Sequence, residues 1–226
     1  MNEKLRRKIL DFFFPTRCPV CGELIYAEER FCNDCQSRLK RYDGDRTITG
    51  AKSFTAAYIY DENVFPAIKL LKEGVCGNAD YALGNGLADR LEEEGIQNKI
   101  DVIIPVPMYR SDEIARGFNQ SLLIAKIIGK RFKILVDSES VVKKRRTEQQ
   151  KKLDRKMRRL NLKGVYTIKN PDRILGKRIL LVDDISTTGS TLSEITSILL
   201  ESGAAAVRCA ACCYTPSHDE KKTYTQ

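Results

Sequence analysis

Two groups of residues in this chain have the types and spacing to do chemistry. The first is Asp183-Asp184-Ile185-Ser186-Thr187-Thr188-Gly189-Ser190-Thr191, an acidic pair followed by a loop of hydroxyl residues and one glycine. A loop of this kind that opens a helix binds an anion. Backbone N–H groups and the positive end of the helix dipole converge there. The hydroxyls of Ser186, Thr187, Thr188, Ser190 and Thr191 add donors. Gly189 lets the backbone come close to a ligand. Asp183 and Asp184 would repel a bare polyphosphate, so they must face something else, either vicinal ribose hydroxyls or a divalent cation. One phosphate beside one ribose suggests a ribose 5-phosphate unit. The Walker A pattern with its phosphate-binding lysine is absent, which counts against a P-loop NTPase.

The second group is Cys18-Pro19-Val20-Cys21 with Cys32-Asn33-Asp34-Cys35. A two-residue gap lets both thiolates of a pair wrap one cation, and Gly22 permits the tight knuckle turn. Two such pairs, ten residues apart, supply four sulfur ligands for a closed tetrahedral zinc site. A lone pair would suit a redox role; two pairs suit zinc better. Cys209 and Cys212 share the spacing, but on a strand, positions three apart point to opposite faces and cannot chelate together. With Cys76 and Cys213 they read as buried small hydrophobes.

These groups need a frame. Ile179 to Val182 is an apolar run that reads as a buried parallel strand delivering the acidic pair. Leu192, Ile195, Ile198 and Leu199 recur at helical spacing after the loop. Asp101 to Pro107 reads as a second buried strand, followed by a polar loop and a helix from about Asn119 to Lys130. Ser53–Tyr60, Ile134–Val136, Val141–Val142, Val165–Ile168 and Val207–Cys213 are further strand candidates, and Phe65–Lys72 and Tyr81–Glu94 further helices. The alternation implies an α/β fold with a parallel sheet, whose ligands sit outside the carboxyl ends of the strands. Gly84-Asn85-Gly86 opens like a dinucleotide fingerprint, but Asp89 stands where the third glycine belongs and no strand leads in. Leu5, Ile9, Phe12 and Phe13 read as a short amphipathic helix ahead of Pro15. The expected organisation is an amino-terminal helix and zinc module over 1–42, an α/β domain over 43–216, and a disordered tail over 217–226.

The charge is local. The chain carries 39 Lys/Arg against 30 Asp/Glu, a net charge of +9. The segment Lys143 to Lys163 holds eleven Lys/Arg and two acids, which equals that whole excess. It could face a pyrophosphate, a nucleic-acid backbone or both. A single histidine, His218, in a polar tail argues against histidine acid–base catalysis. No apolar run approaches the about 18 residues a membrane helix needs, and no secretory signal is present, so the expected compartment is the cytoplasm. There, eight cysteines mean metal or free thiols rather than disulfides.

The acidic pair and its loop resemble the ribose-phosphate motif of type I phosphoribosyltransferases, which bind phosphoribosyl pyrophosphate (PRPP). By that resemblance Asp183 and Asp184 hold the ribose hydroxyls and Ser186 to Thr191 cradle the 5-phosphate. Taken with Pro105-Val106-Pro107, Arg116-Gly117-Phe118-Asn119-Gln120, Arg145-x-Thr147-x-x-Gln150-x-x-Leu153 and Arg158-x-x-Asn161, the chain resembles the ComF competence-protein family. That family joins a four-cysteine zinc module to a phosphoribosyltransferase-type domain. Lys143 departs from the pattern where arginine is more usual, keeping the charge but losing the bidentate fork.

The resemblance implies structural Zn²⁺, and Mg²⁺ accompanying PRPP. Pyrophosphate would lie on the loop from Pro107 to Arg116, including Arg110. A basic segment with Arg145, Thr147 and Gln150 would close over it, and a hood at about 53–94 would cover the site. It further implies a role in DNA uptake during natural transformation, with single-stranded DNA and a helicase-like ATPase as partners and no membrane insertion. Three functions follow: a PRPP-binding accessory protein, a working phosphoribosyltransferase on an unknown acceptor, and a DNA- or protein-binding module with a vestigial pocket. Lys151, Lys152, Arg155, Lys156 and Arg159 fall outside the motif and are the candidate contacts to single-stranded DNA.

Overall fold

The structure is a computed structural model that describes residues 14–74, 78–146 and 164–216. The expected amino-terminal helix, the tail and most of the basic segment lie outside the described residues. Five parallel strands form the central sheet, in the order β1 (Phe54–Ile59), β7 (Ala206–Tyr214), β6 (Arg178–Ser186), β2 (Val102–Pro105), β3 (Leu135–Val136). β4 (Val141–Lys143) and β5 (Tyr166–Ile168) stand outside this sheet as an antiparallel ribbon. Both are short and only partly buried, so neither can replace a central strand.

Alternation along each strand sorts the core into two layers. Ile103, Leu180, Val182, Ala210 and Cys212 face one side, where α2 (Phe65–Glu73), α3 (Ala79–Glu93) and α5 (Gln120–Phe132) cover them. Val102, Ile104, Ile179, Leu181, Cys209 and Ala211 face the other, against α6 (Ser190–Glu201) and the ribbon. Cys209 and Cys212 therefore sit on opposite faces. Burial pushes the Cys209 thiol up to about 12 and raises Cys212 and Cys213 well above the ordinary range.

The zinc block is not a separate bead. Cys18, Phe31, Cys35 and Leu39 belong to the same apolar layer as α3 and α5. Arg30 pairs with Asp89 of α3, and Asn78 Nδ2 donates to the Glu29 carbonyl at 2.9 Å. The stretch 53–94, expected as a hood, contributes β1 to the edge of the main sheet. From this stretch α2 reaches the strand ends, where Lys72 meets Asp184. The Tyr60 and Phe65 rings meet edge-on at its start, 6.3 Å apart, and Gly74 at its end abuts Phe118, beyond β2. Gly74 has φ +67°, and a Cβ there would collide with the Phe118 ring.

Between β2 and α5 the polar loop contains a short helix, α4 (Arg110–Arg116). Asp112 and Glu113 in its first turn suit the dipole, and Gly117 ends it in the left-handed conformation, φ +87°. Asn119 caps α5 by accepting from the Ser121 and Leu122 N–H groups, and its Nδ2 donates to the Val106 carbonyl at 3.1 Å. One side chain thus caps a helix and closes the base of the loop.

Candidate functional site

β6 carries Asp183 and Asp184 to the carboxyl edge of the sheet, and the chain turns through Thr187 and Thr188 into α6. Gly189 is the N-cap residue of α6, at φ +73°. A side chain there would meet both a strained backbone and the Cδ1 of Ile48. The Thr188 and Ser190 hydroxyls are hydrogen-bonded at 2.8 Å, and the Ser186 Oγ is buried without a partner. Asp183, Asp184, Ser186, Thr187, Thr188, Gly189, Ser190 and Thr191 line one cavity of about 310 Å³. An unpartnered hydroxyl and the open first turn of a helix leave donors for a ligand there.

The two carboxylates are not equivalent. Asp183 Oδ1 accepts from the Ser121 Oγ at 3.0 Å, at the start of α5. Burial, and then the neighbouring Asp184, push the Asp183 carboxyl up to about 8. Asp184 is turned to the cavity, where the Lys72 ammonium stands 3.4 Å from its Oδ2. Lys143 lies partly buried in the field of Asp112 and Asp183, and desolvation lowers its pKa.

Three contributors were not legible in the loop itself. Tyr60, Lys72 and Thr215 join the cavity wall from beyond β1, from α2 and from beyond β7. The loop is also held from beneath. Arg46 donates from Nη2 to the Thr188 carbonyl at 2.6 Å and from Nη1 to the Tyr214 hydroxyl, with its guanidinium 4.9 Å from the Tyr214 ring centre. No local pattern marks Lys72 or Arg46, because their partners lie more than a hundred residues away in sequence.

The residues proposed for pyrophosphate are more dispersed. Arg110 and Arg116 stand exposed at the two ends of α4, and neither is among the residues lining the cavity. Arg145 is exposed just past β4, and its neighbour Arg146 pairs with Asp112 of α4 at 2.8 Å. That bridge joins the start of the basic segment to the loop after β2. Thr147 and Gln150 lie outside the described residues.

At the other end of the chain, the sulfur atoms of Cys18, Cys21, Cys32 and Cys35 all lie within 4.8 Å of one another, and those of Cys21 and Cys32 are 3.7 Å apart. Tetrahedral zinc with Zn–S bonds of about 2.3 Å spaces its sulfurs about 3.8 Å apart. The four thiols fit a structural zinc ion. Among the described residues no helix is long and apolar enough to cross a membrane.

Comparison with known proteins matches both parts of the chain. The double zinc ribbon domain model matches residues 9–48, and the phosphoribosyl transferase domain model matches residues 78–226. The DNA utilization protein YhgH of Escherichia coli strain K12 is 38% identical over 115 residues, covering 51% of this chain and 50% of that protein. The chain thus spans about half the length of the YhgH relatives it matches. Competence protein F of Haemophilus influenzae is 29% identical over 214 residues, covering 84% of this chain and 93% of that one. Competence protein ComFC of Bacillus subtilis is 27% identical over 194 residues, covering 84% and 73%. Since the matched domain spans well over half of the sequence, the chain belongs to the phosphoribosyl transferase domain family, with a zinc ribbon ahead of that domain and competence proteins F and ComFC among its homologues.

Proposed function

We propose that this protein binds PRPP or a related ribose 5-phosphate ligand and serves as an accessory to DNA uptake. The observation that carries the reading is the cavity itself, where an acidic pair and the open turn of α6 line the same wall. Ser186 to Thr191 hold the 5-phosphate and Asp184 accepts from the ribose hydroxyls. Asp183, held by Ser121, keeps β6 and α5 in register at the ligand. The names of the YhgH and competence-protein relatives support the DNA-uptake half of the reading. On this reading the protein works in the cytoplasm, alongside a helicase-like ATPase and the incoming single strand.

Magnesium fits as a companion of the ligand rather than as a resident ion. The Asp184 carboxylate already faces Lys72, and Mg²⁺ is usually carried on substrate phosphates with few protein ligands. When bound with PRPP it would neutralise charge on the diphosphate. On this reading Arg110, Arg116 and Arg145, exposed and outside the residues lining the cavity, would meet that group.

Titration calorimetry with Mg²⁺–PRPP tests the reading. Asp184→Asn is expected to weaken binding about tenfold, since an amide oxygen accepts less strongly than a carboxylate. Thr188→Val is expected to weaken it through lost phosphate contacts. Both residues lie at the cavity rim, so both variants should fold. Parent-like affinity in both would show that the ligand site is elsewhere. A pyrophosphate-release screen run in parallel separates the binding role from the second reading, turnover on an acceptor, which the domain family favours.

The basic segment supports a second contact, to single-stranded DNA, through Lys151, Lys152, Arg155, Lys156 and Arg159. Such binding should weaken with salt at roughly −0.7 in log–log slope per phosphate neutralised. Replacing Lys151, Lys152, Lys156 and Arg159 by Gln should flatten that slope and spare PRPP. An unchanged slope would mean that the segment is only a solvated face or a cover over pyrophosphate.

A further inference from the structure

Among the described residues that line the cavity, Lys72 is the only basic one. Ordinary helix chemistry accounts for a lysine in the last turn of α2, where a cation suits the dipole. It does not account for where this one points. Lys69, one turn earlier, stays on its own helix and pairs with Glu73 at 3.8 Å. Lys72 instead leaves α2 and meets Asp184 of β6 at 3.4 Å. The helix end is fixed for this reach. Leu71 is buried, Gly74 closes the helix by donating to the Leu70 carbonyl at 3.2 Å, and Phe118 abuts Gly74.

The charge at the wall sets the problem. A ribose phosphate brings a dianion towards two aspartates, and apart from Lys72 the described residues of the wall offer it only backbone N–H groups, hydroxyls and the partial charge of a helix end. An ammonium has three donors. One can stay on Asp184 while the others reach a phosphate or hydroxyl oxygen of the ligand. Resting on the ribose-phosphate reading, we propose that Lys72 is a ligand-binding residue of this pocket, the resident cation that lets an anionic ribose phosphate settle beside Asp184 without a divalent metal.

The test is calorimetric titration of full-length protein with ribose 5-phosphate, in EDTA and again in millimolar Mg²⁺. Lys72 is partly exposed, so Lys72→Gln should fold, and its melting temperature checks this. In EDTA the parent should bind, Lys72→Gln should lose about tenfold, Lys72→Arg should recover most of the loss, and Lys69→Gln should match the parent. Added Mg²⁺ should restore much of the affinity of Lys72→Gln, because a cation can then take the vacated carboxylate, and should change the parent little. Binding by Lys72→Gln within twofold of the parent in EDTA overturns the proposal and leaves the ribose-phosphate reading standing. So does a parent that binds only with Mg²⁺. A parent that binds under neither condition removes the reading and the proposal together.

Discussion

Replacing Arg46 by Met should loosen the phosphate loop from below without touching the ligand. Arg46 is not among the residues lining the cavity, yet it holds the Thr188 carbonyl at 2.6 Å and the hydroxyl of Tyr214. Tyr214 is 1% exposed, so its hydroxyl would lose this donor in a dry place. A hydrogen bond from a charged donor contributes about 1.5–3 kcal/mol. The Thr188 carbonyl lies at the rim and can turn to water, so its share falls near the bottom of that range. The sum is a destabilisation of about 3–4.5 kcal/mol, read as a lower urea midpoint at unchanged m-value. A double-mutant cycle with Tyr214→Phe isolates the buried half, and a coupling of about 1–2 kcal/mol is expected. Ribose 5-phosphate affinity should fall in Arg46→Met more than in Tyr214→Phe, since only the first releases Thr188. If Arg46→Met unfolds at the parent midpoint, or the coupling is below about 0.3 kcal/mol, the strut does not exist as an energetic unit.

Two other outcomes are expected. Cys32→Ser should abolish zinc binding by metal analysis, and the melting transition of the whole chain should drop with it, because Cys18, Cys35, Phe31 and Leu39 share a core layer with α3 and α5. A main transition that stays in place would mean the block is held by something other than its metal. Asp183 gives a pH signature. Its carboxyl titrates near 8 in the fold against about 3.9 in an unfolded chain, so the folded state binds the proton more tightly. That contribution is complete below pH 4 and is lost as pH rises towards 8. Asp183→Asn should therefore gain stability relative to the parent between pH 5 and pH 8, by chemical denaturation at both values. Asp184, Lys143, Tyr166 and Ser121 face it, and all four are present in both proteins. A constant difference between parent and variant across that range would contradict the raised pKa.

Local pattern made the acidic strand, its loop and α6 legible, because each is contiguous and obeys one periodicity. The same is true of the four zinc thiols and of the opposed faces of Cys209 and Cys212. The misses have a common physical origin. α4 was read as loop because seven residues are too few for periodicity to show. β4 and β5 were read into the parallel sheet because short apolar runs say nothing about their partners. The expected division into a zinc module over 1–42 and an α/β domain over 43–216 treats the cysteines as remote from the apolar strands. In the fold, two of them are buried in that core. Lys72 and Arg46 act on residues far along the chain, and a single cation in an ordinary segment carries no sign of its destination.

The sheet order also governs how the molecule can be assembled. β7, the last strand, lies between β1, the first, and β6. Until residues 206–214 have been made and inserted, β1 has no neighbour in the sheet, and the Tyr214 end of the Arg46 strut does not exist. The layers around β1 and the zinc block must therefore wait for the far end of the chain. Closure of the sheet is a late, non-local step of the kind that slows folding. A nascent chain halted before β7 would present one open edge of β1, the other being bridged by residues 40–42, as a template for mispairing with other chains.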